Sequence, residues 1–76
     1  MKKVKIYTTS DSAPCDELRK YLNSKSIDFT ENNIGSGQAA AALIKKTGYS
    51  VVPQIEIDGQ IIVGFDRKKI DELLNN

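Results

Sequence analysis

Two side chains near the start of the chain, Ser12 and Cys15, have types and a spacing that suit nucleophilic chemistry. They are three residues apart, close to one helical turn, and Pro14 between them is typical of a first helical turn. An anion at such a position, either a thiolate or an oxyanion, is stabilised by unpaired backbone N–H groups and by the helix dipole. The segment is therefore a candidate nucleophilic site.

Each candidate residue also has a purely structural interpretation, and taken singly that interpretation is the stronger one. Ser12 is a good helix N-cap, and Cys15 suits a small buried apolar position. Asp66 can cap a later helix, and Pro53 is acceptable at the start of a strand. A functional interpretation therefore depends on how these residues are arranged together.

The elements that must position these residues can be predicted from the alternation of apolar and polar side chains. Residues 3–8 alternate as a strand, and a helix with an apolar face begins after Ser12. Residues 27–30 predict a short second strand. The Gly-Ser-Gly segment at residues 35–37 precedes a second helix, for which Gly48 is a natural end.

The second half of the chain predicts a hairpin and a last helix. Residues 51–57 and 60–63 predict two strands joined by a tight turn at Asp58 and Gly59. The last helix follows Asp66, and Phe65 can pack against Ile70 in its apolar stripe. The predicted order is βαβαββα, an α/β fold with a four-stranded mixed sheet flanked by helices on both faces.

The first strand should be central in this sheet, and a central strand is expected to be apolar on both faces. Lys3 and Lys5 contradict that pattern. We therefore expect both lysines at the beginning of the strand, beyond the helices that cover it.

The composition limits the classes of partner. The 76 residues suffice for one domain, residues 1–76, and 11 basic against 10 acidic residues give a net charge of +1. This balance gives no reason to expect a nucleic acid or an anionic membrane as the main partner. There is no apolar run typical of a signal peptide or membrane span, so we expect a cytoplasmic location. With one cysteine, the chain cannot form an internal disulfide. With no histidine, it lacks the commonest metal ligand, and we expect no metal site.

Five segments together resemble the glutaredoxin family, and in particular its short bacterial glutaredoxin-like members. The segments, in chain order, are Ile-Tyr-Thr-Thr at 6–9, Ser-Ala-Pro-Cys at 12–15, Val-Val-Pro at 51–53, Asp-Gly at 58–59 and Gly-Phe-Asp at 64–66. The resemblance covers nearly the whole chain. It implies a thioredoxin fold and reversible thiol–disulfide exchange, with glutathione or protein disulfides as partners.

The resemblance also implies roles for individual residues. Position 12 is that of the nucleophile and Cys15 that of the resolving thiol, while a cis Pro53 faces them. The backbone of Val52 pairs with the glutathione peptide. The glutamyl end of glutathione is received by Gly64, Phe65 and Asp66.

The chain departs from the family pattern at several places, of which Ser12 is the most consequential. Serine is the one-atom isostere of cysteine and of selenocysteine, and its oxygen cannot form the mixed disulfide. Ala13 and Pro14 replace the usual Pro-Tyr, and Val63 and Thr9 replace a common glycine and lysine, which weakens the expected glutathione groove.

Because Cys15 and the other site residues remain, we interpret Ser12 as a replacement in a glutaredoxin-type thiol–disulfide oxidoreductase. The chain as written is predicted to be inactive and monomeric. A non-catalytic binding module with the same fold remains an alternative. An iron–sulfur carrier is disfavoured, because Ser12 removes the first cysteine ligand.

Overall fold

A computed structural model describes residues 2–75 and contains four strands and three helices in the predicted order. The elements are β1 (Val4–Thr8), α1 (Ala13–Ser24), β2 (Thr30–Asn33), α2 (Gly37–Thr47), β3 (Gln54–Ile57), β4 (Gln60–Val63) and α3 (Arg67–Asn75). The strands lie in the order β2-β1-β3-β4. β1 and β2 are parallel, and the other neighbouring pairs are antiparallel. This mixed sheet is the predicted thioredoxin fold.

The main core lies between one face of the sheet and the helices α1 and α3. Ile6, Ile55 and Ile62 are directly opposite one another on β1, β3 and β4, and form a continuous row across three strands. Leu18 and Leu22 of α1 and the α3 residue Ile70 pack in the same cluster, as the apolar stripes predict. This cluster fixes the beginning of α1, which carries the candidate site, against the sheet.

The opposite face of the sheet is covered by α2. Tyr7 of β1, Ile34 and the α2 residue Leu43 form a second buried cluster, on which Ala39 and Val52 pack. The sheet therefore has helices on both faces, as predicted. Val52 connects this second cluster to the loop before β3, where the sequence places part of the site.

The position of β2 differs from the sequence prediction. The alternation at residues 27–30 predicted the strand there, but the ladder with β1 extends over Thr30–Asn33. Ile27 and Phe29 instead pack on the main core from the connection that follows α1. The N–H of Ile27 donates to the Leu22 carbonyl at 3.0 Å, closing the end of that helix. The alternation thus reflects a packed connection, whereas the strand itself is polar and exposed.

The first residues of the predicted third strand also lie outside the sheet. Residues 51–53 belong to the loop before β3, which begins at Gln54. Pro53 lacks an N–H group and cannot donate to a strand ladder, so the strand begins after it. The apolar run at residues 51–53 therefore builds a loop beside the sheet.

Lys5 corrects the expectation that both lysines precede the covered part of β1. Lys3 is exposed and precedes the strand, but Lys5 lies within it, half-buried and opposite Glu56 on β3. The ion pair of Glu56 is with Lys46 of α2, whose Nζ lies 2.8 Å from the carboxylate. A partly covered central strand therefore accommodates the charge of Lys5 beside an acidic partner.

Among residues 2–75, no helix is long and apolar enough to cross a membrane.

Candidate functional site

The sheet register brings the predicted site segments to one end of the sheet. Tyr7, near the end of β1, is opposite Gln54 at the start of β3, and Gln54 is opposite Val63 at the end of β4. The loop into α1, the Val52–Pro53 segment and Gly64 continue from these three strand ends. The Asp58–Gly59 hairpin lies at the other end of β3 and β4. The structure thus brings together the segments that contain the predicted site residues.

Ser12 is the N-cap of α1, as its position in the sequence predicts. Its backbone is extended (φ −115°, ψ 116°), and its Oγ accepts a hydrogen bond from the N–H of Cys15 at 3.3 Å. Its carbonyl accepts from the N–H of Asp16 at 3.0 Å. Ser12 is half-buried, whereas Ala13 and Pro14 after it are exposed. The group at position 12 therefore lies at the positive end of the helix, near solvent.

Cys15 lies one turn into α1 and is completely buried. It shares the inward face of the helix with Leu18 and Leu22, which belong to the main core. The N–H of Cys15 is bound to the Ser12 side chain, so the two residues are in direct contact. Access to the thiol from solvent must therefore pass the N-cap or require local opening.

We predict that Cys15 in the folded protein reacts slowly with a small alkylating reagent, because its side chain is inaccessible. Unfolding by denaturant should increase the labelling rate by at least about 100-fold, since opening of a buried position carries a free-energy cost. Mass spectrometry of the alkylated chain over time measures both rates. Equal rates in native and denatured protein would contradict the burial of the thiol.

The Val52–Pro53 peptide bond is cis, as the resemblance implies. Pro53 is buried, and its carbonyl accepts a hydrogen bond from the N–H of Gly64 at 2.8 Å. Gly64 has a φ of +87°, in the left-handed region that favours glycine. The loop before β3 and the turn after β4 are thereby joined beside the sheet end that carries Ser12.

Phe65 and Asp66 continue from Gly64 into α3. Asp66 caps the helix as predicted: its Oδ1 accepts from the N–H of Lys69 at 3.2 Å, and its carbonyl accepts from the N–H of Ile70 at 3.0 Å. Phe65 packs on the main core and meets Tyr21 edge to face, with ring centroids 5.7 Å apart. The half-buried carboxylate of Asp66 thus lies at a helix N-terminus next to Gly64.

Sequence reasoning missed a polar cluster next to this site. The Glu31 carboxylate of β2 accepts from the Thr8 hydroxyl and from the Arg19 Nε, both at 2.6 Å. The Arg19 guanidinium also donates to the Asp16 carboxylate at 2.5 Å and to the Thr9 carbonyl at 3.5 Å. The cluster joins the end of β1, the first turns of α1 and the edge strand.

The charges of this cluster stabilise each other. Partial burial favours a higher pKa for Glu31, but hydrogen bonds from Thr8 and Arg19 outweigh it, and the pKa lies below its ordinary value. The pKa of Arg19 is raised, chiefly by its hydrogen bond to Glu31. Arg19 follows Cys15 by four residues, which could have indicated the same helical face. Glu31 could not be found this way, because β2 was predicted at residues 27–30.

Gln54 is a second residue that sequence reasoning missed. It is completely buried beside Pro53, and its Nε2 donates to the carbonyls of Tyr49 at 2.8 Å and Val51 at 3.0 Å. A glutamine directly after a proline in an apolar run is the signal that could have indicated it.

Within residues 2–75, no group of three or more His, Cys, Asp or Glu side chains is arranged to hold a metal ion.

The fold and this site together define a thioredoxin-fold protein with a Ser-Ala-Pro-Cys segment at a helix N-terminus and a cis-proline at the same end of the sheet. A family model described as Glutaredoxin matches residues 4–62. The chain belongs to the glutaredoxin family. Its members are redox proteins, and the family is associated in general with thiol–disulfide oxidoreductase activity.

The chain is similar to several proteins over most of its length. It is 40% identical over 75 residues to an uncharacterized glutaredoxin-like 8.6 kDa protein in the rubredoxin operon of Clostridium pasteurianum, covering 93% of this chain and 96% of that protein. It is 39% identical over 67 residues to glutaredoxin 3 of Escherichia coli K12, covering 87% of this chain and 81% of that protein. The solved structure of glutaredoxin 1 from Francisella tularensis complexed with cacodylate matches with a TM-score of 0.79, 28% identity and full coverage of both chains.

Proposed function

We propose that this chain is a single-domain glutaredoxin-type thiol–disulfide oxidoreductase scaffold whose turnover is disabled by Ser12. In the parent reaction, a thiolate at position 12 attacks a substrate disulfide, forms a mixed disulfide and releases one substrate thiolate. The thiolate of Cys15 then attacks the sulfur at position 12, forms a disulfide with it and releases the second substrate thiolate. The substrate has then gained two electrons. Glutathione or a thioredoxin system returns two electrons to the protein by reducing the disulfide between positions 12 and 15.

One observation supports this proposal most strongly: position 12 caps α1, with the Cys15 thiol one turn behind it. The unpaired N–H groups at the helix N-terminus stabilise a thiolate at that position. The buried Cys15 suits a resolving group, which reacts inside the site after the mixed disulfide has formed. The assignment of Pro53 as the wall of the site is supported by its location at the same end of the sheet.

Ser12 explains why the chain as written should lack turnover. A hydroxyl is a far weaker acid than a thiol with its pKa of about 8.5, and oxygen cannot form the disulfide. A glutathione-coupled assay of the unmodified protein should show background rates. The binding-module alternative keeps the groove without the chemistry, and restoring a thiol at position 12 distinguishes the two. We also propose that the protein acts as a cytoplasmic monomer, and its net charge of +1 favours neither a nucleic acid nor an anionic membrane as partner.

The glutathione groove is proposed to run from Val52 to Asp66. The Val52 backbone pairs with the cysteinyl part of glutathione, next to position 12. The glutamyl end carries an ammonium group and a carboxylate, and it lies over Gly64, Phe65 and Asp66. The Asp66 carboxylate suits the ammonium group, and the N-terminus of α3 suits the carboxylate.

We predict that Asp66→Asn weakens binding of reduced glutathione to the unmodified chain by about three- to tenfold, because one charge-assisted contact to the ammonium group is lost. Asparagine is as good a helix N-cap as aspartate, so α3 should be retained. The dissociation constant is measured by an NMR titration that follows backbone amide shifts.

Asp58→Asn is the matched control, since it removes the same charge at the opposite end of the sheet, in the hairpin. This variant should bind glutathione like the unmodified chain. Equal affinities for the Asp66 variant and the control would place the glutamyl end elsewhere. Amide shifts confined to residues far from positions 12, 52 and 64–66 would contradict the proposed groove.

A further inference from the structure

The inference concerns Gln54, a buried polar side chain to which neither the parent chemistry nor the resemblance gives a role. Gln54 is the first residue of β3, and its exposed fraction is 0%. Burial of a carboxamide is unfavourable unless its polar atoms are paired. Its Nε2 uses both hydrogens, donating to the Tyr49 carbonyl at 2.8 Å and to the Val51 carbonyl at 3.0 Å. Its buried Oε1 has no hydrogen-bond partner among residues 2–75, so the two bonds of the Nε2 are the only ones that offset the burial of this side chain in the part of the chain that the structure describes. A side chain of this kind fixes the backbone that it binds.

The backbone in question is the loop between α2 and β3, and side-chain packing does little to hold its outer part. Tyr49 and Val51 are 56% and 57% exposed. The loop is held through its main chain instead. Besides the two bonds from Gln54, the N–H of Tyr49 donates to the Thr47 hydroxyl at 3.2 Å. Gln54 therefore stabilises the loop from inside, at two points two residues apart.

Val52 lies between two anchored carbonyls. The carbonyl of Val51 is bound by Gln54, and the carbonyl of Pro53 accepts from the N–H of Gly64 at 2.8 Å. The Val52 side chain packs inward on the cluster of Tyr7, Ile34 and Leu43. The orientation of the Val52 peptide groups is thus set before any ligand arrives, which lowers the entropic cost of binding.

We propose that Gln54 is a positioning residue that gives the site its selectivity for peptidic disulfides. Its carboxamide holds the loop so that the Val52 backbone can pair with the backbone of a glutathionyl or peptide substrate. Small disulfides without a peptide backbone do not use that contact and are insensitive to Gln54. This inference deepens the proposed function and rests on it.

The test compares two substrates in a Ser12→Cys background: a glutathione mixed disulfide of a short peptide, and bis(2-hydroxyethyl) disulfide. Dithiothreitol replaces glutathione as the reductant, because glutathione would convert the small disulfide into a glutathione adduct. Gln54→Met keeps the length of the side chain and removes both donors. We expect kcat/KM for the peptide substrate to fall about tenfold, mainly through KM, since two positioning hydrogen bonds are lost. The rate with the small disulfide should stay within about twofold, because position 12 and Cys15 are untouched.

Two further variants separate positioning from general destabilisation. Ile57→Val perturbs the core at the opposite end of β3 and should leave the ratio of the two rates unchanged. Thr47→Val removes the hydroxyl that accepts from the Tyr49 N–H, and should produce a smaller selective loss in the same direction. If Gln54→Met fails to fold, Gln54→Leu, which also lacks both donors, decides the question by the same ratio.

A parallel loss on both substrates, or no loss on either, would overturn the role of Gln54. An inactive Ser12→Cys protein would count against the proposed function instead, and a second measurement then decides about Gln54. In that case glutathione is titrated into the Ser12 chain with and without Gln54→Met. A dissociation constant about tenfold higher in the variant supports the positioning role. Equal constants, or no binding to the Ser12 chain, overturn it.

Discussion

Ser12→Cys is expected to turn a protein without disulfide turnover into an active one. The new thiol replaces a hydroxyl at the N-cap of α1, where unpaired backbone N–H groups and the helix dipole stabilise an anion. Cysteines at helix N-termini have pKa values of about 3.5–7.5, so much of the new thiol is thiolate at neutral pH. With Cys15 one turn away, the pair can alternate between dithiol and disulfide.

The measurement combines turnover with the pH dependence of thiol alkylation. We expect turnover at least about 100-fold above the Ser12 chain, because the hydroxyl supplies no thiolate. The alkylation rate of the variant should reach half its maximum below pH 7.5 or so, reflecting the lowered pKa of the new thiol. Adding Cys15→Ser tests the resolving role. A half-maximum near the free-cysteine value of about 8.5 together with no turnover would favour the binding module.

Ile55→Ala is expected to lower the free energy of unfolding by about 2–5 kcal/mol, the cost of a cavity at a fully buried isoleucine. Ile55 lies in the middle of the row formed with Ile6 and Ile62, so neighbours on both sides lose contacts. A loss of this size is a large part of the total stability of about 5–15 kcal/mol typical of small domains. The variant should be partly unfolded under mild conditions.

Urea unfolding followed by circular dichroism measures this loss. Ile55→Val is the matched variant, since it removes one methylene group and should cost about 0.5–1.5 kcal/mol. A substitution at exposed Gln60 should stay within about 0.5 kcal/mol of the unmodified chain. A cost below about 1 kcal/mol for Ile55→Ala would show that the row is not the centre of the core.

The order of elements and the capping positions of Ser12 and Asp66 could be predicted because local chemistry determines them, whereas their roles in a site come from the resemblance and stay predictions. Ser12 and Asp66 are good N-caps, and each begins a helix where the sequence indicates. Asp58 and Gly59 form the hairpin turn, with φ values of +48° and +88°. These features depend on a few adjacent residues, so a single sequence suffices to recognise them.

Features that depend on tertiary contacts could not be predicted in the same way. Residues 27–30 alternate because Ile27 and Phe29 pack on the core from a connection, and alternation alone does not distinguish this from a strand. The roles of Gln54 and Glu31 arise from partners that tertiary structure supplies. Glu31, for example, meets Arg19 twelve residues earlier in the chain. The position of Lys5 within the covered part of β1 could have been predicted only by knowing that Glu56 lies opposite it on β3.

The polar, exposed strand β2 has a consequence for how the protein behaves at high concentration. An edge strand carries unpaired backbone N–H and C=O groups to which a strand of another molecule can add, and amyloid fibrils grow by such addition. Here the edge strand β2 is four residues long, has the sequence Thr-Glu-Asn-Asn and is exposed throughout. A strand added there would meet exposed polar side chains, and Glu31 among them is already paired with Arg19. The polarity that hid β2 from a pattern-based prediction is thus a safeguard against fibre formation.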